Sequence, residues 1–262
     1  MERLGTKENK RGIASRSLVA VAALLALAAC STPATQWEVP HPGKYTLIYY
    51  TEIPGVIADK IRITVGEREF YVPNETVRPS AQSMYLLSHW KIKEGEEVLD
   101  IGTGSGVQAV FAAEKAKRVV ATDISLSAVD TAIFNAQHNG FRDKIEVRPG
   151  DLFEPIKAGE RFDVILFNID YPYKPGTEDL WKVHQRFFAE VSNYLKPGGR
   201  VYYQSGLVQN IPTVQEMASS NQLRIVSIRM DAALKVKHDP IVFVLFREKD
   251  LSSATNAPDL DY

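Results

Sequence analysis

The stretch Glu96–Val110, EEVLDIGTGSGVQAV, constrains the fold more than any other part of the chain. An apolar run ends at Ile101, glycines follow at the alternate positions 102, 104 and 106, and a helix-compatible segment opens directly after them. Glycine at those positions lets the backbone turn sharply and come close to a ligand, where a Cβ would obstruct both. The start of a helix beyond such a loop offers free N–H groups. The unit therefore predicts a strand, a ligand-cradling loop and a helix. Dinucleotide-binding loops use G-x-G-x-x-G. Here the third glycine comes one residue early and Val107 takes its place, which disfavours a nicotinamide dehydrogenase.

The surrounding sequence alternates short apolar runs with amphipathic segments, the pattern of a parallel α/β sheet. The runs are 96–101, 118–122, 144–148, 162–167 and 200–205, with helical segments between them. Ser127 and Asp130 predict a capping box at one helix start, with Gly140 as the residue that ends the helix. Two further runs, 223–230 and 241–248, have no helix between them and predict an antiparallel C-terminal hairpin. Upstream, Tyr45–Thr51 is β-branched and aromatic, and IRITV and EFYV flank a polar turn at Gly66. That is a hairpin signature, and a helix is expected from Ser80 to Trp90. The expected organisation is an extension over 45–90, an α/β domain over 91–249 and a polar tail over 250–262.

Three acidic residues stand at the ends of expected strands. Asp100 precedes the glycine loop, Asp123 ends VVATD, and Asp151 follows the third strand in RPGDLF. Ligands bind outside the carboxyl ends of strands in such sheets. The pattern LDIGTGSG resembles motif I of the seven-stranded S-adenosylmethionine-dependent methyltransferases, and the resemblance continues in register from roughly Pro73 to Arg247. LKPGG at 195–199 is common in that family, and AIFNAQHNGF is similar to a helix ending of its small-domain and ribosomal-protein members. The resemblance implies a Rossmann-like, doubly wound sheet of seven strands and S-adenosylmethionine as cofactor. It assigns cofactor contacts to Asp100, Gly102, Thr103, Gly104, Gly106, Asp123, Ile124, Asp151, Leu152 and Asn168. Asp123 would accept the ribose hydroxyls, Asp151 the exocyclic amine of adenine, and Leu152 would lie on the ring. VPNETVRPSAQS at 72–83 corresponds to a segment that folds over the cofactor in similar enzymes, where Arg78 or Ser83 would touch the methionine carboxylate.

The fourth strand runs into FNIDYPYKPGTED, where related enzymes place the methyl acceptor. Methylases of planar amides and exocyclic amines have N-P-P-Y at this corner. This chain has Asn168-Ile169-Asp170-Tyr171, so the asparagine and tyrosine match and both prolines are missing. The corner looks more like that of the ribosomal-protein lysine methyltransferases. The resemblance thus implies Asn168, Asp170 and Tyr171 as catalytic residues, with Asp170 accepting from or deprotonating an amine and Tyr171 and Tyr173 walling the pocket. The acceptor expected is an amine of a protein side chain or a small molecule.

The first 29 residues read as a secretory signal. Arg3, Lys7, Lys10, Arg11 and Arg16 give a positive start, and Leu18–Ala29 is uninterruptedly apolar. That run is too short for a membrane-spanning helix, which needs about 20 residues, and it ends in small residues as a cleavage site does. Leu27-Ala28-Ala29-Cys30 resembles the lipobox of bacterial lipoproteins. It implies a lipidated Cys30, a tether over 30–44 and a place in the cell envelope, with Ser31 favouring the outer membrane. Cys30 is the only cysteine, so no intramolecular disulfide forms.

The chain carries 31 basic and 32 acidic residues; the first 29 hold five and two of these, leaving the rest at −4. Nucleic-acid binders usually show a basic surplus, so no nucleic-acid partner is expected. The five histidines show no metal-ligand spacing and are expected to be solvated or structural. S-adenosylmethionine is made in the cytosol, whereas the leader directs export. That tension leaves an alternative to the enzyme: a catalytically silent, lipid-anchored module that keeps the fold for binding.

Overall fold

The computed structural model of the chain describes residues 35–38, 45, 47–51, 60–230 and 240–251. The expected signal, Cys30 and residues 252–262 lie outside them. The described elements form two sheets. The first is an antiparallel meander of β1 (Thr35–Glu38), β2 (Leu47–Thr51), β3 (Lys60–Val65) and β4 (Arg68–Pro73). The expected hairpin around Gly66 is β3–β4. The strand Thr35–Glu38 falls inside the stretch read as a tether and pairs with β2.

The second sheet has seven strands. Its parallel part comprises β5 (Glu97–Ile101), β6 (Arg118–Asp123), β7 (Ile145–Pro149), β8 (Phe162–Phe167) and β9 (Leu195–Ser205). The two last strands, β10 (Leu223–Met230) and β11 (Ile241–Arg247), are antiparallel neighbours, and β11 inserts between β10 and β9. The order is β10-β11-β9-β8-β5-β6-β7. This is the doubly wound sheet with an antiparallel C-terminal end that the sequence predicts.

Alternation along the strands explains the layers, because successive side chains of a strand face opposite ways. Val98, Val119, Ala121, Val164, Leu166, Val244 and Phe246 face one layer. It contains α1 (Ala81–His89), α2 (Val107–Ala112), α3 (Leu126–His138) and the inner face of the small sheet, with Ile63 and Phe70 fully buried. The extension is thus part of the main core. Leu99, Ile101, Val120, Ile165, Phe167 and Phe243 face the other layer, against Phe187 and Phe188 of α4 (Leu180–Glu190) and Val214 of α5 (Ile211–Ser220).

Two local expectations are corrected. The N-cap of α3 is Ser125, whose hydroxyl accepts from the Ala128 N–H; Ser127 instead points its hydroxyl at Thr76 and Glu75. The helix starts two residues early because Asp123 takes the Ser125 N–H and turns the chain at the strand end. Gly140 does end the helix, at φ 79°. The expected tail at 250 begins inside a short helix, α6 (Glu248–Leu251), where Asp250 binds the Arg247 guanidinium at 2.8 Å.

Candidate active site

The chain runs from β5 outward to β7 and then returns to lay β8 on the other side of β5, so the strand order reverses between β5 and β8. Their register pairs Ile101 with Phe167. The glycine loop and the Asn168 corner therefore leave the sheet side by side, at the crevice where doubly wound folds bind ligands.

The loop braces itself. The N–H groups of Gly102 and Thr103 both donate to the Thr122 carbonyl, Gly106 donates to the Thr103 carbonyl, and Gly104 donates to Asp123 Oδ2 at 2.9 Å. These N–H groups hold the loop's shape. Gly102 has φ 71°, and a Cβ there would come within 2.5 Å of Ile169 Cγ1. Glycine is required at this point because the acceptor corner packs directly on the loop. Gly106, at φ 79°, has the Ala132 backbone 3.0 Å from where a Cβ would sit. It does not line the cavity, so its expected cofactor contact is replaced by close packing of α2 on α3.

All the other residues assigned to the cofactor line one cavity of about 590 Å³. Asp100 is 2% exposed and accepts the Thr103 hydroxyl at 2.6 Å. Burial pushes its pKa up to about 7; the Thr103 hydrogen bond opposes the rise and the nearby Asp123 charge adds to it. Asp123 takes one backbone N–H on each oxygen, from Gly104 and Ser125, which aims the carboxylate and leaves each oxygen able to accept again. Leu152 is buried at φ 48°, its carbonyl accepting from the Thr122 hydroxyl. Ile124 is exposed on the rim. Asp151 does not stand alone: Arg186 of α4 binds its Oδ2 at 2.7 Å.

The acceptor corner is assembled from four directions. The Asn168 amide donates to Ser83 Oγ at 3.1 Å. Ile169 rests on Gly102. The Asp170 carboxylate is exposed, while its backbone carbonyl turns inward to His184 Nε2 at 2.9 Å. Tyr171 is buried over Gly206, where any Cβ would collide with its phenol. Burial pushes the Tyr171 pKa to about 12, against a hydrogen bond with Gln82, so the phenol stays protonated and serves as a wall and a donor. Tyr173 stands at the mouth, 43% exposed. Arg78 and Ser83 also line the cavity, and the Arg78 guanidinium donates to Asn74.

Sequence reading missed Gln82, Gln204 and Arg186, which line the same cavity. It also missed Asn135, fully buried, whose amide donates to the Ser105 carbonyl of the loop and to Tyr71 of β4 while its oxygen accepts the Tyr71 N–H. Its signal was an asparagine inside an otherwise apolar helix face, where an unpaired amide would be costly.

The cavity suits a cationic nucleoside. Gly102 and Gly104 keep its floor free of side chains, an aimed carboxylate is available for vicinal hydroxyls, and Asp100, Asp123 and Asp151 oppose positive charge. Comparison with known proteins agrees. The family described as methyltransferase small domain matches residues 79–227, more than half of the chain. A Methanocaldococcus jannaschii protein assigned as a protein N5-glutamine methyltransferase is 31% identical over 188 residues, covering 65% of this chain and 90% of that one. A ribosomal protein L11 methyltransferase of Caldicellulosiruptor bescii is 36% identical over 141 residues, 53% of this chain but 41% of the relative. Among solved structures, the M. jannaschii tRNA m1G37 methyltransferase superposes with a TM-score of 0.57 at 14% identity, covering 75% of this chain and 59% of that one, and so shares the fold. The chain belongs to the methyltransferase small domain family and is an S-adenosylmethionine-dependent methyltransferase.

Proposed function

We propose that this chain methylates a nitrogen of a protein side chain, and that Cys30 anchors the enzyme to a membrane of the cell envelope. The observation that carries the first part is one cavity lined at once by the cofactor acids and by Asn168, Asp170 and Tyr171. When bound, S-adenosylmethionine supplies a methyl carbon on a positively charged sulfur that departs as a neutral thioether. Asp123 would hold the ribose hydroxyls and Asp100 would face the positive charge. At the corner, Asp170 receives a proton from the nitrogen, whose lone pair must be free to form the new N–C bond. Tyr171 excludes water from one side. The protein acceptor is supported by the names of the relatives, which act on glutamine and on a ribosomal protein.

The test uses tritium-labelled S-adenosylmethionine and a cell-envelope protein fraction. Protease-sensitive label that disappears with Asp123→Ala is the expected result, along with a roughly hundredfold weaker cofactor Kd in that variant, since hydrogen bonds to a charged group are worth about 1.5–3 kcal/mol each. Label sensitive to nuclease but not protease overturns the protein acceptor. The anchor is supported by the positive start, the short apolar run and the LAAC quartet. Cys30→Ser is expected to move the protein from the membrane fraction to the soluble one. Unchanged fractionation rejects the anchor.

A further inference from the structure

The acceptor corner lacks the two prolines that would stiffen it in N-P-P-Y enzymes, so something else must hold its backbone. His184 is fully buried on α4, below the corner. Its Nε2 lies 2.9 Å from the Asp170 carbonyl and its Nδ1 lies 2.6 Å from the Tyr203 hydroxyl. A carbonyl can only accept, so Nε2 carries the proton. The bare Nδ1 then accepts from the Tyr203 O–H. Tyr203 is itself buried on β9, and burial pushes its phenol pKa up, so it remains a donor. Phe167 and Trp181 close round the imidazole at 5.2 and 5.4 Å between ring centroids, with no other titratable side chain among these contacts.

We propose that His184 is the positioning residue of the acceptor corner: its Nε2–H, with Nδ1 satisfied by the Tyr203 hydroxyl, clamps the Asp170 carbonyl and so fixes where Asn168, the Asp170 carboxylate and Tyr171 stand. This inference rests on the reading of that corner as the acceptor site. A rigid strand thereby passes its position to a loop through one imidazole, in place of proline rings. The arrangement is directional. Turning the Asp170 carbonyl inward keeps it from the acceptor and sends the carboxylate to the mouth, where it is exposed. Burial holds the His184 pKa down to about 4, so the clamp stays neutral across the physiological range.

Amide hydrogen exchange tests the clamp without any acceptor. In His184→Leu, the amides of 168–173 are expected to exchange at least tenfold faster while those of β5 and β8 change little. His184→Gln, whose terminal amide reaches the place of Nε2, is expected to restore protection to within about threefold. Unchanged corner exchange in His184→Leu overturns the proposal, as does acceleration that is uniform over the sheet and not rescued by glutamine. Where His184→Leu does not fold, nitrogen NMR of the wild-type imidazole decides: an Nε2–H neutral tautomer that persists to pH 5 supports the clamp, and an Nδ1–H tautomer or titration near pH 6.5 rejects it. Failure of the wild-type chain to bind S-adenosylmethionine in calorimetry would instead overturn the functional reading and leave the exchange result standing.

Discussion

The two halves of the active site are held by different means. At the cofactor end the loop is braced mainly by backbone N–H groups and the carboxylates of neighbouring strand ends: Thr103 donates to Asp100, Gly104 and Ser125 donate to Asp123, and Asn135 of α3 adds one bond to Ser105. At the acceptor end, Asn168 is held by Ser83, 85 residues away, Tyr171 by Gln82 and Gly206, and the Asp170 carbonyl by a histidine on the next helix. A loop that braces itself on its own backbone needs a fixed spacing of residue types, and this spacing is a motif. A corner braced by side chains from other elements can be rebuilt many ways, so its geometry lies in the fold and not in a local string of residues.

The halves meet at Gly102 and Ile169, and the largest predicted effect breaks that contact. Gly102→Ala places a Cβ against Ile169 in a left-handed conformation. The conformation costs roughly 1–2 kcal/mol and overpacking roughly 1–3 kcal/mol. Thermal or denaturant unfolding should show a loss of about 2–5 kcal/mol, with cofactor binding weakened about a hundredfold or more. Ile169→Ala in the same chain should recover the overpacking part. Contacting residues give such non-additivity and distant ones do not, so strictly additive single and double variants would show that the two halves are independent.

The difference in bracing also explains what could be read from the residues. The strand segments along the chain and the antiparallel end follow from apolar runs, and the carboxylates at 100, 123 and 151 stand at the ends of β5, β6 and β7. The resemblance assigns a cofactor contact to Gly106, and only the approach of Ala132 reveals its role in helix packing. His184 could be read only as a lone histidine in a strongly amphipathic segment. Its burial depends on β9 lying beside β8, which no local pattern encodes. The same holds for Arg186, whose partner Asp151 is 35 residues away on another element. Thr35–Glu38 was lost among the prolines at 33, 40 and 42, which mask a short strand made by pairing with β2.

A pH experiment sharpens the contrast at the cofactor end. Burial raises the Asp100 pKa to about 7, against an ordinary carboxylate value when unfolded. A raised folded pKa means that its contribution to stability is complete below pH 4 and is lost as pH rises through 7. A cationic ligand reverses the preference, because it favours the ionised carboxylate. The S-adenosylmethionine Kd should therefore tighten by about tenfold between pH 6 and 8, with protons released on binding, and level off above pH 8. Asp100→Asn should remove this slope. Calorimetry in buffers of different ionisation enthalpy counts the protons; a slope that survives in Asp100→Asn places the titration elsewhere.

The smallest expected effect concerns a helix that serves both halves. On α4, His184 lies under the acceptor corner and Arg186, two residues on, reaches Asp151 at the cofactor end. The Arg186–Asp151 pair is open to solvent, with side chains 47% and 31% exposed, and such pairs contribute little to stability. The arginine takes only Asp151 Oδ2, so the other oxygen remains to accept from an adenine amine. Arg186→Ala should then change the cofactor Kd by less than threefold and leave the melting temperature nearly unmoved, while Asp151→Asn weakens binding more. A tenfold loss in Arg186→Ala would mean that the arginine orients Asp151 for the ligand. In that event α4 would carry a positional link between the two halves through residues 184 and 186, and the acceptor end would no longer be separable from the cofactor end.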